Sequence, residues 1–163
     1  MPLRVRIVDH GAAEERKDED VNARDLIVSA GWFPGRNLDV LSALTAFQQA
    51  GFAVVGPAEA ILAKYSNLVV RSDSAPRQEL WLDGKRAAEE ADRDWCAAYE
   101  ARSGQVLTPV GGYSHATIYV DEAGRFWGGF DFEYGLVGDS IGEMVNGLVL
   151  EPGSRRFDHQ VPR

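Results

Sequence analysis

The sequence predicts an α+β fold: an antiparallel sheet with helices packed mainly on one face. Three observations carry this. Residues 22–65 repeat apolar side chains at helical spacing; from Val106 to Val137 the pattern alternates and is punctuated by turn residues; one more helical pattern follows. Helices first, a meander next and a helix last is an α+β order, not the alternation of βαβ units.

Leu3 to Val8 alternates and reads as a short edge strand, and the charged run Glu14 to Asp20 reads as a solvated or disordered arm. Residues 1–20 therefore stand apart from a single domain at 21–150, with a polar tail at 151–163. The first helix starts after Asn22, an N-cap type, with Leu26, Ile27 and Ala30 as its apolar contacts, and Gly31 suits its C-cap. Pro34-Gly35 makes a turn and Asp39 caps the second helix, whose apolar face is Val40, Leu44 and Phe47 up to Gly51. The third opens at Gly56-Pro57, with Ala58, Ile61, Leu62 and Tyr65 on one stripe.

Residues 67–71 and 78–83 read as strands, and a single helix is expected from Lys85 to Arg102, with Ala88, Ala91, Trp95 and Tyr99 on its apolar face. Val106 to Val110 is a strand that Gly111-Gly112 should break. His115 to Val120, Arg125 to Phe130 and Phe132 to Val137 continue the meander, with Asp121 to Gly124 as a hairpin turn and Gly128-Gly129 as a candidate bulge. Alternation sends Phe126 and Trp127 to opposite faces. The last helix starts at Ser140, with Glu143 at capping-box spacing, and buries Ile141, Met144, Val145 and Leu148.

The chain has 163 residues, 45% hydrophobic and 26% charged, with a net charge of −8. That size supports one domain with its own core. The charge disfavours direct binding to nucleic acid or to an anionic membrane, and it favours a basic partner. No apolar run reaches the ~20 residues needed to span a bilayer, and no signal-peptide pattern is present, so a cytoplasmic protein is expected. The single cysteine, Cys96, and three scattered histidines give no metal-site spacing, and no cofactor motif occurs. Either a monomer or a homodimer is compatible with the pattern.

Catalytic readings fare poorly. Ser114 and His115 are adjacent, so on a strand they point to opposite faces. Cys96 has the acidic neighbour Asp94, which raises rather than lowers a thiol pKa. Asp131 and Glu133, two apart, would share one face of a strand, as a glycosidase pair might be placed, but nothing else points to a sugar site. Gly111-Gly112-Tyr113-Ser114 lacks the lysine and helix of a phosphate loop. No enzyme is expected. From Asp121 to Glu151, however, seven acidic residues face one basic residue, Arg125, among Phe126, Trp127, Phe130, Phe132 and Tyr134. Aromatics rimmed by charge suit a binding surface. The candidate partner-binding residues are Trp127, Asp131, Glu133, Tyr134, Asp121 and Glu122.

Two stretches resemble a known family. Ala30-Gly31-Trp32-Phe33-Pro34-Gly35-Arg36 through Asp39, then a helix and Gly51-Phe52, is similar to the opening of the third immunity-protein subfamily of the SUKH superfamily. Gly124-Arg125-Phe126-Trp127, then Gly138-Asp139-Ser140 and a helix reaching Gly147-Leu148, resembles its closing motif. The resemblance implies a SUKH-like α+β fold and a non-enzymatic immunity protein. Such a protein neutralises a cognate toxin of a bacterial polymorphic toxin system, often a nuclease or nucleic-acid deaminase. Occlusion of a basic toxin by the acidic, aromatic sheet face follows as the expected mechanism. The alternative is a general interaction or regulatory module of the same fold. Tyr65-Ser66-Asn67-Leu68 departs from the Phe-Gly-Gly-Leu of relatives. Trp32 and Phe33 are expected to anchor the helices on the sheet, and Arg36 to pair with Asp39 or Asp139.

Overall fold

The computed structural model describes residues 22–73, 75–153 and 157–162; the expected strand Leu3–Val8 and the charged run Glu14–Asp20 lie outside them. Helix α1 covers residues 22–29, α2 Leu41–Ala50 and α3 Gly56–Tyr65. Then come β1 (Leu68–Arg71), β2 (Glu79–Leu82), α4 (Gly84–Glu90), α5 (Arg93–Ser103), β3 (Thr108–Tyr113), β4 (Ala116–Val120), β5 (Phe126–Phe130) and β6 (Glu133–Gly138). Helix α6 (Ile141–Val145) runs on as a π-helical segment, Asn146–Leu150, before β7 (His159–Gln160). The seven strands lie in sequence order, each antiparallel to its neighbours. The α+β class holds.

Local chemistry sets most boundaries. Asp39 Oδ1 accepts the Leu41 N–H at 2.9 Å, one residue ahead of the N-cap position Val40, and Gly51 ends α2 in the left-handed region. Ser140 Oγ accepts from Glu143 N, and Glu143 Oε2 accepts from Asp139 N, a reciprocal cap at the start of α6. Asn67 has φ 64°, a conformation Asn tolerates.

Two expectations fail on side-chain hydrogen bonding and on space. The single helix 85–102 is two helices. Ala91 leaves α4 extended, and the Asp92 carboxylate accepts from Asp94 N and Trp95 N to start α5 afresh. Gly111-Gly112 does not break β3 but lies inside it. A Cβ on Gly112 would sit 2.3 Å from the Trp81 ring, so glycine is what lets that indole lie flat on the sheet. Nor is Gly128-Gly129 a bulge; the register shifts between Phe126 and Trp127 instead. The expected polar tail is partly integral: β7 pairs with β6, and Val161 is buried.

One face of the sheet carries Leu68, Val70, Leu80, Leu82 and Ile118, all nearly inaccessible. Helix α3 reaches β3 on this side, and the π segment reaches β2 and β6. Fully burying one such side chain, Phe47 of α2 for example, stabilises by roughly 1.5–3 kcal/mol. The opposite face is not left open. Tyr99 of α5 packs on Tyr119 and Tyr134, with centroids at 6.0 and 5.4 Å, and a Cβ on Gly129 would lie 2.3 Å from its ring.

Candidate functional site

Asp121 is fully buried at the β4–β5 turn. Its Oδ1 accepts from Ala123 N and Arg125 N, and its Oδ2 from Arg125 Nε and Trp127 Nε1, all at 2.9 Å. An Asp that folds back on the next backbone N–H groups builds the turn itself. Burial alone pushes its pKa up. The bonds from Trp127 and Arg125 and the Arg125 charge outweigh that and hold it below the usual carboxylate range. Asp121, expected at a partner surface, is buried in this structure and its carboxylate organises the hairpin.

Tyr134, another expected partner-binding residue, also belongs to the packed interior. It is buried between Tyr99 and Trp127, with centroids at 5.4 and 6.2 Å, and its ring also meets His159. Trp127 is half-buried, and its indole N–H is already spent on Asp121. Phe126 on the opposite face is buried, as alternation requires.

Asp131 and Glu133 do not sit two apart on one strand. Asp131 occupies the β5–β6 turn with φ 49°, and its carbonyl accepts the Tyr99 hydroxyl. Glu133 pairs with Phe130 at the hairpin's end, on the face opposite Trp127 and Tyr134. Successive hairpins point to opposite ends of the sheet, so Glu122, exposed in the β4–β5 turn, is a full strand away from Asp131. The expected single acidic, aromatic face is thus divided among three places.

What the fold does assemble is the sheet end formed by the β3–β4 and β5–β6 turns. His115 is exposed there, 5.7 Å from the ring of Phe130, which is itself 43% exposed. Asp131 and Glu133 flank that ring, and neither has a salt-bridge partner among the described residues. The sequence places Phe130 among the aromatics of the acidic segment but does not single it out. Phe126 lies on the same face of β5 and is buried, so Phe130 reaches solvent because it is the last residue of the strand.

The opening and closing motifs meet, though not as expected. Arg36 donates through Nη1 to Lys64 O at 2.7 Å and through Nη2 to Ser66 O at 2.5 Å, so it caps the end of α3 rather than pairing with Asp39 or Asp139. Phe33 is 57% exposed and anchors nothing. Trp32 is half-buried, stacked on Tyr65 at 6.3 Å and 22°, with Arg24 over its other side at 5.6 Å. A cavity of about 340 Å³ joins Trp32 to Ser140, Ile141 and Gly142, just after Gly138 and the exposed Asp139. A second, of about 580 Å³, joins it to Pro34, Gly35, Arg36 and Lys64.

The groups considered for catalysis are dispersed. Cys96 is buried, and burial with the Glu100 carboxylate pushes its thiol up to about 12. Ser114 sits at φ 53° in the β3–β4 turn, next to His115. Among the described residues no three His, Cys, Asp or Glu side chains cluster as metal ligands would, and no helix is long and apolar enough to cross a membrane. A family model described as SUKH-3 immunity protein matches residues 19–151. No curated protein and no solved structure matches the chain.

Proposed function

This chain belongs to the SUKH-3 immunity protein family, and from that premise we propose that it binds and neutralises one cognate toxin by occlusion, without chemistry of its own. The contact surface is the sheet end at Phe130, with Asp131, Glu133 and His115 around it. The observation that carries this is the exposed Phe130 ring beside two carboxylates that lack a basic partner among the described residues. A large ring at the centre and charge at the rim is the anatomy of a binding hot spot. With a net charge of −8, the chain attracts a basic partner at long range. A nuclease or nucleic-acid deaminase presents such a basic groove to its own substrate, so an acidic wedge there competes directly with nucleic acid. The toxin acts on nucleic acid, and the pair meets in the cytoplasm of the producing cell.

The test is co-expression with each toxin gene adjacent to the encoding locus. Growth rescue together with a co-purifying complex is the expected result. Rescue by none of them, with the protein folded and expressed, refutes the reading in favour of a general interaction module.

A further inference from the structure

We propose that the groove around Trp32 is a second binding site, one that takes an acidic peptide segment carrying an aromatic or large apolar side chain. The two cavities share Arg24, Trp32 and Tyr65, so they form one continuous groove on either side of that stack. Together they fall in the volume range of sites that hold ligands, roughly 300–1,000 Å³. Among the described residues three cations line the groove, Arg24, Arg36 and Lys64, and not one carboxylate does. That is a sharp local reversal on a chain whose net charge is −8.

The indole N–H of Trp32 is buried and has no acceptor among the described residues. An unsatisfied buried donor costs roughly 1–3 kcal/mol, and Trp32 lines both cavities, so a shift of the indole that brings its N–H to an acceptor in the groove recovers that cost. Carboxylates and peptide carbonyls supply acceptors, and the surrounding cations supply the charge match. The aromatic walls, Trp32 and Tyr65, take an apolar anchor. A single-stranded nucleic acid offers stacking too, but its long negative backbone meets repulsion from the rest of this acidic surface. A short acidic segment confines its charge to the groove.

The site is spatially independent of the proposed toxin surface. Lys64 and Tyr65 precede the start of β1, and Ser140 follows the end of β6; both lie at the sheet end opposite the turn that carries Phe130. A basic partner and an acidic one can therefore be held together.

The probe is a fluorescein-labelled dodecapeptide of alternating Asp and Glu with a central Phe, titrated by anisotropy against the full chain at low salt. Saturable binding is expected, with a shift of the Trp32 indole N–H resonance. Arg24→Ala with Lys64→Ala, both exposed side chains, should weaken it by about tenfold or more without changing the melting temperature. Three results overturn the proposal: no saturable binding, affinity unchanged in the double variant, or a single-stranded oligonucleotide of equal charge binding as tightly. If the double variant fails to fold, the indole shift of the unsubstituted chain on peptide addition still decides the question.

Discussion

Asp121 Oδ2 accepts the indole N–H of Trp127 at 2.9 Å, and that one bond commits the Asp121 carboxylate and the Trp127 N–H to the fold. Asp121 is fully buried, and the bond ties the β4–β5 turn to the start of β5. A carboxylate with four donors cannot be replaced by an amide, which presents an N–H₂ where an acceptor is required. Asp121→Asn should cost roughly 2–3 kcal/mol, since bonds to a charged group are lost and donors are left unmet. In a domain of this size that lowers the melting temperature by about 5–10 °C. Calorimetry checks it. Toxin affinity of the folded fraction should stay within about twofold, whereas a large loss of affinity would return Asp121 to the interface.

The same carboxylate gives stability a pH dependence with a defined sign. Its pKa is lowered in the folded chain, so the folded state binds fewer protons than the unfolded one in this window. The stabilisation is fully present above the unfolded value of about 4 and is lost as pH falls through it toward the lower folded value. Urea midpoints measured from neutral pH down to about pH 3 should fall more steeply in the unsubstituted chain than in Asp121→Asn. Parallel slopes would show that other carboxylates dominate acid unfolding.

Element types were legible because they follow from local pattern and capping. Asp39, Ser140 with Glu143, and the Pro57 start of α3 each announce a helix by a mechanism within four residues. Asp92 announces one too, but on a polar helix face it is indistinguishable from a solvated charge until its carboxylate is seen on Asp94 N and Trp95 N. The site was less legible. A period-2 pattern says that Phe126 and Trp127 point apart, not which face α5 will cover. That depends on Tyr99 filling the space above Gly129, a contact between residues 30 positions apart. Arg36 was misassigned for a related reason: carboxylates are visible in a sequence as partners for arginine, whereas the carbonyls of Lys64 and Ser66 are not.

Arg36→Ala should remove two bonds from a cationic donor to the end of α3, destabilising by about 1–2 kcal/mol. Asp139→Asn should add nothing to that loss beyond its own small effect. A double-mutant cycle of chemical denaturation therefore gives a coupling energy near zero, within the roughly 0.5 kcal/mol expected of independent sites. A coupling well above that would mean that the two motifs communicate through charge after all.

Gly129→Ala places a methyl carbon 2.3 Å from the Tyr99 ring, which is itself wedged among Tyr119 and Tyr134 and hydrogen-bonded to the Asp131 carbonyl. The ring has no free direction, so α5 must lift from the sheet. Overpacking of this kind costs about 1–3 kcal/mol or more. Cys96 lies one turn earlier on α5, buried, with its thiol pushed up to about 12, so it is inert to thiol reagents while α5 stays docked. The rate of labelling by a disulfide reagent thus reads local opening. Gly129→Ala should accelerate it by at least about tenfold, and an unchanged rate would show that the ring has room to move.

The interface is tested by removing the ring and the two charges while keeping the turn. Phe130→Ala deletes the exposed anchor, and Glu133→Gln neutralises its neighbour at nearly constant shape. Asp131 needs more care, because its φ of 49° lies in a region that most side chains avoid. Asn tolerates it, and Asp131→Asn leaves the backbone carbonyl in place for the Tyr99 hydroxyl. The triple variant should therefore melt like the parent yet bind the toxin on the order of 100-fold more weakly. The loss should divide by mechanism. The two carboxylates steer encounter, so Asp131→Asn with Glu133→Gln lowers the association rate and flattens its salt dependence. Phe130→Ala, a lost apolar contact, raises the dissociation rate and leaves the salt dependence unchanged. Stopped-flow association and dissociation at two ionic strengths separate these effects. A folded triple variant with parental affinity would move the toxin contact away from this end of the sheet.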